Sequence, residues 1–298
     1  MNYIIEDANV VSDLGITIAS FLIDDYKISH YGKSLQKYQG MRMNVSKYFM
    51  TPGHVIADFS LLNCENIVDY RKQLTNLIVK GCTLALVPCY IQYESEFEKK
   101  IRAARHAMIN STIDFVIGVQ IPLEKLTPGI IRLCKRHKLP YIITEINEHT
   151  NIYSIPWGWI REAQFQFQVP IYPLWNIEDY KELKIQMESW EQVTSSHYIP
   201  TYLRFPTDLR LVPKVIRKQI GIYPKKGDLF IGNELDYNLY EYANYDKIVP
   251  LITVHKGKVI KVNDEVNLYP GFGQELNIKL PGLFASIDSM TNNPYPGG

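Results

Sequence analysis

Tyr48-Phe-Met-Thr-Pro-Gly-His-Val-Ile-Ala-Asp-Phe-Ser-Leu-Leu62 is the stretch on which the fold of this chain turns. Thr51-Pro-Gly is turn chemistry, because proline presets φ and glycine accepts conformations closed to other residues. The apolar Val55-Ile-Ala that follows predicts a strand over residues 55–62. Side chains two apart in a strand share a face, so Asp58 and Ser60 are expected to point together into one mouth of the sheet. Both are candidate ligand-binding residues. His54 follows the Pro-Gly turn at the opposite end of the strand and reads as structural.

Downstream, strands and helices alternate. Residues 65–80 place Ile67, Leu74, Leu77 and Ile78 at helical spacing, and Thr83-Leu-Ala-Leu-Val-Pro-Cys-Tyr is a nearly continuous apolar strand. A charged helix is predicted over 94–109, then a third strand in Ile113-Asp-Phe-Val-Ile-Gly-Val-Gln-Ile-Pro. Thr127-Pro128 supplies an N-cap and a first-turn proline for a helix running to Lys138. Pro140-Tyr-Ile-Ile-Thr-Glu-Ile is a fourth strand and Val169-Pro-Ile-Tyr-Pro-Leu-Trp a fifth, followed by an amphipathic helix over 177–195. A sixth unit is expected to end near Pro206. Strands apolar on both faces, alternating with helices, predict parallel βα units. A closed eight-unit barrel needs about 250 residues, so residues 51–221 are expected to form a truncated, incomplete TIM-like barrel.

The two ends differ from the middle. Residues 1–50 hold Tyr3-Ile-Ile-Glu-Asp-Ala-Asn-Val-Val, Ile16-Thr-Ile-Ala-Ser-Phe-Leu-Ile and Lys27-Ile-Ser-His-Tyr-Gly, separated by Asp and Gly. Residues 222–285 repeat that character in Asp228-Leu-Phe-Ile-Gly, Asp236-Tyr-Asn-Leu-Tyr, Ile252-Thr-Val-His and Glu275-Leu-Asn-Ile-Lys-Leu. The expected class is therefore α/β: a truncated barrel plus a small β-sandwich domain assembled from residues 1–50 and 222–298.

Composition excludes several functions. With 32 Lys and Arg against 31 Asp and Glu in 298 residues, the chain lacks the basic excess of a nucleic-acid binder. The four cysteines, Cys64, Cys82, Cys89 and Cys134, show no Cys-x-x-Cys spacing and lie in apolar surroundings, as expected of reduced thiols in a cytoplasmic protein. Met1-Asn-Tyr-Ile-Ile-Glu-Asp-Ala carries acids where a signal peptide needs basic residues. No run reaches the ~20 apolar residues of a membrane span, so no membrane or nucleic-acid partner is expected. Lys225-Lys226-Gly227 resembles a phosphate loop in composition only, because no dinucleotide or Gly-Lys-Ser/Thr fingerprint follows a predicted strand.

Three regions together resemble the amidohydrolase superfamily, in its dihydroorotase and hydantoinase (dihydropyrimidinase) branch. They are the N-terminal strands leading into Met50-Thr-Pro-Gly-His, the passage from Ile220-Gly-Ile-Tyr-Pro-Lys-Lys-Gly-Asp to Tyr240-Glu241, and His255-Lys-Gly-Lys-Val with Tyr269-Pro-Gly-Phe-Gly-Gln-Glu-Leu276. The middle agrees in strand-helix rhythm only. The resemblance implies a two-metal, zinc-type site at the strand ends that activates water against a cyclic amide. It implies His-x-His on the first strand, a carboxylated Lys on the fourth, one His each on the fifth and sixth, and an Asp on the eighth.

The chain departs from that set at every position that can be aligned. Asp58 and Ser60 stand where the two histidines belong, Thr144 stands near the lysine, and Leu174-Trp175-Asn176 contains no histidine. Asp208 is the one candidate for the last ligand. No metal or other cofactor is therefore expected. A replacement site could be built from Glu145, Glu148 and His149 after the fourth strand, with Asp58 at the same mouth, where a carboxylate and an imidazole could do acid-base work. Asp58, Glu145 and His149 are the catalytic candidates; Asp58, Ser60, Glu145 and His149 are the ligand-binding ones. Three functions stay open: a non-catalytic binding, scaffolding or regulatory protein, an active hydrolase of a cyclic amide or other non-peptide C–N bond, and a small-molecule sensor that uses the old pocket without chemistry. Exposed aromatics around Tyr153, Trp157, Trp159, Phe165, Phe167 and Trp175, together with the edges of an unfinished barrel, predict a homo-oligomer or a protein partner covering the gap.

Overall fold

The alternation of apolar strands and amphipathic helices is realised as a curled half-barrel. In a computed structural model, residues 2–13, 15–32, 35, 37–207, 209–241 and 249–285 are described. In chain order the elements are β1 (Tyr3–Ser12), β2 (Gly15–Asp24), β3 (Lys27–Gly32), β4 (Met41–Asn44), β5 (Tyr48–Pro52), β6 (His54–Ala57), α1 (Ile67–Val79), β7 (Cys82–Tyr90), α2 (Phe97–Ala107), β8 (Asp114–Pro122), α3 (Pro128–His137), β9 (Ile142–Asn147), α4 (Trp157–Ala163), β10 (Ile171–Asn176), α5 (Tyr180–Ser196), α6 (Lys214–Ile220), β11 (Tyr237–Glu241), β12 (Ile252–His255), β13 (Lys258–Val262) and β14 (Glu265–Val266).

Two sheets organise these elements. The parallel sheet has five strands in the order β10-β9-β8-β7-β6. The other sheet has nine strands in the order β14-β13-β12-β11-β5-β1-β2-β3, with β4 beside β1, so strands from both ends of the chain hydrogen-bond into one sheet. The expected strand at Asp228-Leu-Phe-Ile-Gly is not formed, and Glu275 contributes a single bridge to Phe115 rather than a strand.

Local signals explain the helices. Asn66 caps α1 by accepting from the Val68 and Asp69 amides, and Thr127 caps α3 by accepting from the Ile130 amide ahead of Pro128. Helices α1–α5 lay their apolar stripes on one face of the parallel sheet, where Ile56, Val87, Ile117 and Ile146 meet Leu74, Ile101, Ile131 and Trp190.

The other face of the half-barrel is filled as well. Leu84, Val116, Ile143 and Tyr172 pack there against Phe205, Ile216 and Ile220, which come from residues 199–222. Phe205 lies 5.1 Å from the Tyr172 ring, stacks at 5.9 Å on Tyr141 and meets the edge of Phe59 at 6.3 Å. Residues 199–222 act as a strap across the half-barrel. At one edge the Ile171 amide donates to Pro200 O (2.9 Å) and Trp175 Nε1 to Leu203 O (2.8 Å). At the other edge the Val212 amide donates to Val55 O (2.8 Å) and Leu209 to Ala57 O (3.1 Å), forming an antiparallel bridge between Ile56 and Leu211. The sixth unit expected near Pro206 is therefore an irregular strap, and the edges expected to need a partner are engaged by the chain itself.

Two glycines record how closely the sheets approach. A Cβ on Gly53 would lie 2.3 Å from Thr83 Oγ1 of β7, so the Thr-Pro-Gly turn must be bare to seat against the half-barrel. A Cβ on Gly273 would lie 1.9 Å from Ile113 O, where Gln274–Leu276 runs beside the start of β8. There the Phe115 amide donates to Gln274 O and the Leu276 amide to Phe115 O.

The strap carries the concave face, so truncating its central ring is expected to cost stability. Phe205→Ala is expected to lower unfolding free energy by about 3–5 kcal/mol in urea titrations. An effect below about 1 kcal/mol would mean that the concave face does not depend on this ring.

Candidate functional site

In parallel α/β folds the functional end of the sheet is the C-terminal end of its strands. β6 stops at Ala57, so Asp58 and Ser60 do not lie on a strand as expected; they follow it in a turn. Asp58 is buried, and its Oδ1 accepts from the amides of Ser60 (2.9 Å) and Leu61 (2.6 Å) while Oδ2 accepts from Gln73 Nε2 of α1 (2.5 Å). Its oxygens therefore tie the turn to α1. Ser60 is exposed.

On β9, Thr144 is fully buried and donates its hydroxyl to Tyr172 O (3.3 Å), while Ile143 packs on the strap side. Strand alternation puts Glu145 on that same inner side. Glu145 Oε1 accepts from Gln120 Nε2 of β8 at 2.6 Å. Tyr90 of β7 stands opposite Gln120 in the sheet register. Its phenol is pushed up by desolvation and then by the charges of Glu145 and Glu96. Leu174 of β10 stands opposite Glu145 and packs with the strap. Glu148 and His149 are exposed beyond the strand, where Asn147 Oδ1 accepts from the His149 amide. The fold thus brings Glu145 to a mouth with Gln120 and Tyr90, assigns Asp58 to a turn, and leaves Ser60, Glu148 and His149 at the surface. Asp208 lies outside the described residues.

Two zinc-type ions need several imidazole and carboxylate donors converging at bonding distance. The inner strand ends offer one amide-paired carboxylate, a leucine and a tyrosine, with Phe205 packed between the strands and the strap. These residues do not fit such a pair of ions. Among the described residues, no group of three or more His, Cys, Asp or Glu side chains is placed to hold a metal.

The charged chemistry sits instead at the opposite end, between the two sheets. Lys226 is 3% exposed, and its Nζ lies 2.7 Å from Asp114 Oδ2, 2.6 Å from Asp236 Oδ2 and 2.6 Å from Glu234 Oε2. His255 of β12, fully buried, places Nδ1 3.0 Å from Asp236 Oδ1 and Nε2 3.6 Å from Asp114 Oδ1. Lys256 Nζ reaches Asp114 Oδ1 at 2.5 Å, and its amide donates to Asp236 Oδ1 at 2.7 Å. Burial pushes both carboxyls up, but Lys226 and His255, joined at Asp114 by Lys256, outweigh it, holding Asp114 well below the usual range and lowering Asp236. Burial pushes the His255 imidazole down, yet Asp236 and Asp114 raise it above its ordinary value.

Sequence reading took Lys226 for part of a turn and passed over Asp114 and Asp236. The available signal was an acid opening each of two apolar strands, Asp114-Phe-Val-Ile and Asp236-Tyr-Asn-Leu, because acids enter such surroundings only when paired.

A cleft of about 730 Å³ lies nearby, between the β1–β2 hairpin and α6. His54 borders it. Its Nδ1 donates to Lys80 O (2.8 Å), since a carbonyl can only accept, which leaves Nε2 to accept from the Tyr240 hydroxyl (3.2 Å). Burial, reinforced by the Arg217 charge, lowers the His54 pKa despite the Lys80 carbonyl. The ring ties the end of α1 to β11.

Comparison with known proteins supports the fold. Neither a protein-family model nor a curated protein matches the sequence. Among solved structures, a D-hydantoinase superposes with a TM-score of 0.66 at 11% identity, covering 95% of this chain and 100% of that one. D-hydantoinase from Bacillus sp. AR9 gives 0.63 at 8% identity, covering 94% and 99%. Atrazine chlorohydrolase from Arthrobacter aurescens TC1, solved with zinc, gives 0.52 at 10% identity, covering 90% and 97%. The fold is the one seen in these D-hydantoinases and in atrazine chlorohydrolase.

Two outcomes test the charge cluster. Lys226→Met strands Asp114 and Asp236 without their central cation and is expected to destabilise the chain by about 3–5 kcal/mol in chemical unfolding. The pH dependence has two limbs. The lowered carboxyls add stability above their unfolded value of about 4, lost as pH falls through their folded values. The raised imidazole adds stability below about 6.5, lost as pH rises through its folded value. Between those limits the cluster contributes most. His255→Gln is expected to flatten the alkaline limb of unfolding midpoint against pH while the acid limb persists; an unchanged alkaline limb would exclude His255 as its source.

Proposed function

We propose that this chain is an amidohydrolase-fold protein without the metal-dependent reaction, retained for a binding, scaffolding or regulatory role. The observation that carries this reading is the donor set at the C-terminal strand ends, where a barrel enzyme keeps its active site: Glu145, paired with Gln120, stands beside Tyr90 and Leu174. The commitment of Asp58 to a turn cap supports it. On this reading residues 51–221 are the truncated barrel, and residues 1–50 with 222–298 form the accompanying β-sandwich unit. Four unpaired thiols, Cys82, Cys89 and Cys134 buried and Cys64 half-buried, support a reducing, cytoplasmic setting. No helix among the described residues is long and apolar enough to cross a membrane. Oligomer or partner contacts on this reading use the exposed Tyr153, Trp159 and Phe165; Trp157 and Phe167 are buried in the core.

The test joins metal analysis to turnover. Protein purified without chelators is expected to carry zinc well below one equivalent. It is expected to leave hydantoin, dihydropyrimidine and dihydroorotate unhydrolysed beyond the buffer rate. Two equivalents of zinc, or turnover that disappears in Glu145→Ala or His149→Ala, would establish the active-hydrolase alternative.

A further inference from the structure

We propose that the cleft between the β1–β2 hairpin and α6 binds a small amphipathic organic anion, an apolar ring system bearing a carboxylate or sulfonate, with Lys214 and Arg217 receiving the anionic group. This deepens the binding role proposed above by naming a ligand class, and it rests on residues remote from the strand ends.

The cleft has the size of a small-molecule site: its volume of about 730 Å³ lies within the range of roughly 300–1,000 Å³ typical of such pockets. One wall is apolar. Phe21 and Tyr31 stack at 5.9 Å with planes 22° apart, and Val10, Ala19, Val55 and Leu229 continue the surface. Tyr31, exposed over the buried Phe21, presents a flat ring face that suits a planar aromatic body.

The opposite wall is cationic. Lys214 and Arg217, three residues apart on α6, share a helix face toward the cleft. Arg217 is held in place: its Nη1 donates to Gly227 O at 2.5 Å and to Asp228 Oδ2 at 3.2 Å, and the side chain is 14% exposed. Gly227, at φ +76°, allows this approach, since a Cβ there would lie 2.3 Å from that nitrogen. Both bonds run through one nitrogen, so the planar fork keeps donors for a second acceptor.

Charge accounting locates the anion. Asp228 balances Arg217, and Lys214 Nζ is 3.8 Å from its other oxygen. The closer partner of Lys214 is Asp13 of the hairpin, at 3.2 Å, whose side chain is 71% exposed. An ion pair so exposed contributes little, about 0–1 kcal/mol. The Asp13 carboxylate therefore marks the position a ligand anion takes, at the mouth of an apolar cleft and on a lysine that surrenders it at small cost.

Fluorescence titration of the full chain with 8-anilinonaphthalene-1-sulfonate, set against its uncharged counterpart N-phenyl-1-naphthylamine, tests the assignment. The wild-type chain is expected to bind the sulfonate saturably at one site and about tenfold tighter than the neutral dye, as a charge-assisted contact implies. Lys214→Met is expected to remove that preference, weakening the sulfonate about tenfold and leaving the neutral dye unchanged. Asp13→Asn, which removes the internal competitor, is expected to tighten the sulfonate several-fold. Thr17→Trp, at the exposed rim, is expected to weaken both dyes by filling the cleft. Coincident thermal melts check that each variant is folded; Asp13→Asn alters only an exposed side chain and decides the matter if another variant melts early. Equal affinity for the two dyes, or sulfonate binding unmoved by Lys214→Met and Asp13→Asn, overturns the proposal. Zinc content and hydantoin turnover are read separately, so either reading can fail without the other.

Discussion

A parallel sheet of five strands has two free edges and two apolar faces, and water tolerates neither for long. Helices cover the outer face, as in any chain of βα units, but a half-barrel also has a concave face that further strands of a closed barrel would normally enclose. This chain meets that constraint with residues 199–222. The strap hydrogen-bonds to β10 at one end and to β6 at the other, and it lowers Phe205, Ile216 and Ile220 onto the rings and aliphatics between them. Every other feature of the half-barrel follows from this closure. The edges find partners within the chain, and the concave face becomes core.

The join between the two sheets obeys a different rule. Desolvating an ammonium or a carboxylate costs several kcal/mol, and a lone buried charge is not tolerated. Lys226 is accommodated because three carboxylates surround it, and Asp114 and Asp236 because Lys226, His255 and Lys256 converge on them. Asp114 opens a strand of the half-barrel, whereas Asp236 and His255 belong to the other sheet or its approach. The arrangement is satisfied only when the sheets are in register, so it acts on orientation as much as on energy. Arg105 adds a second fastening through a two-bond contact to Glu275.

These two features place chemistry and fold in different hands. The likeness to hydantoinases is one of backbone course, at 8–11% identity in the D-hydantoinases compared, and backbone course does not carry a reaction. At the C-terminal mouth Glu145 pairs with Gln120 beside Tyr90. More polar chemistry lies at the other end of the strands, in the Lys226 cluster and in the cleft bounded by Arg217, Lys214 and His54.

Periodicity and end signals were sufficient for the parallel strands and their helices. Thr127-Pro128 and the apolar run after residue 82 needed no tertiary information, because capping and burial on both faces are written in consecutive residues. The resemblance of the chain ends was likewise legible, since Thr51-Pro-Gly and Pro270-Gly-Phe-Gly mark places of close approach, to the Thr83 side chain and to the Ile113 backbone. Asp58 was misplaced because a strand end and a turn cap carry the same local pattern; only the arrival of Gln73 from α1 separates them. The strap escaped detection because its bonds to β6 reach more than 150 residues along the chain. The same holds for Lys226, which reads as an ordinary turn lysine until Asp114 and Asp236 are brought to it. Local sequence therefore determined the parallel strands from residue 82 onward and the helices that follow the first three of the half-barrel's strands, for those depend on neighbouring residues. Tertiary structure alone decided where charge is buried and which face of the half-barrel is filled, because both are set by contacts between residues far apart in the chain.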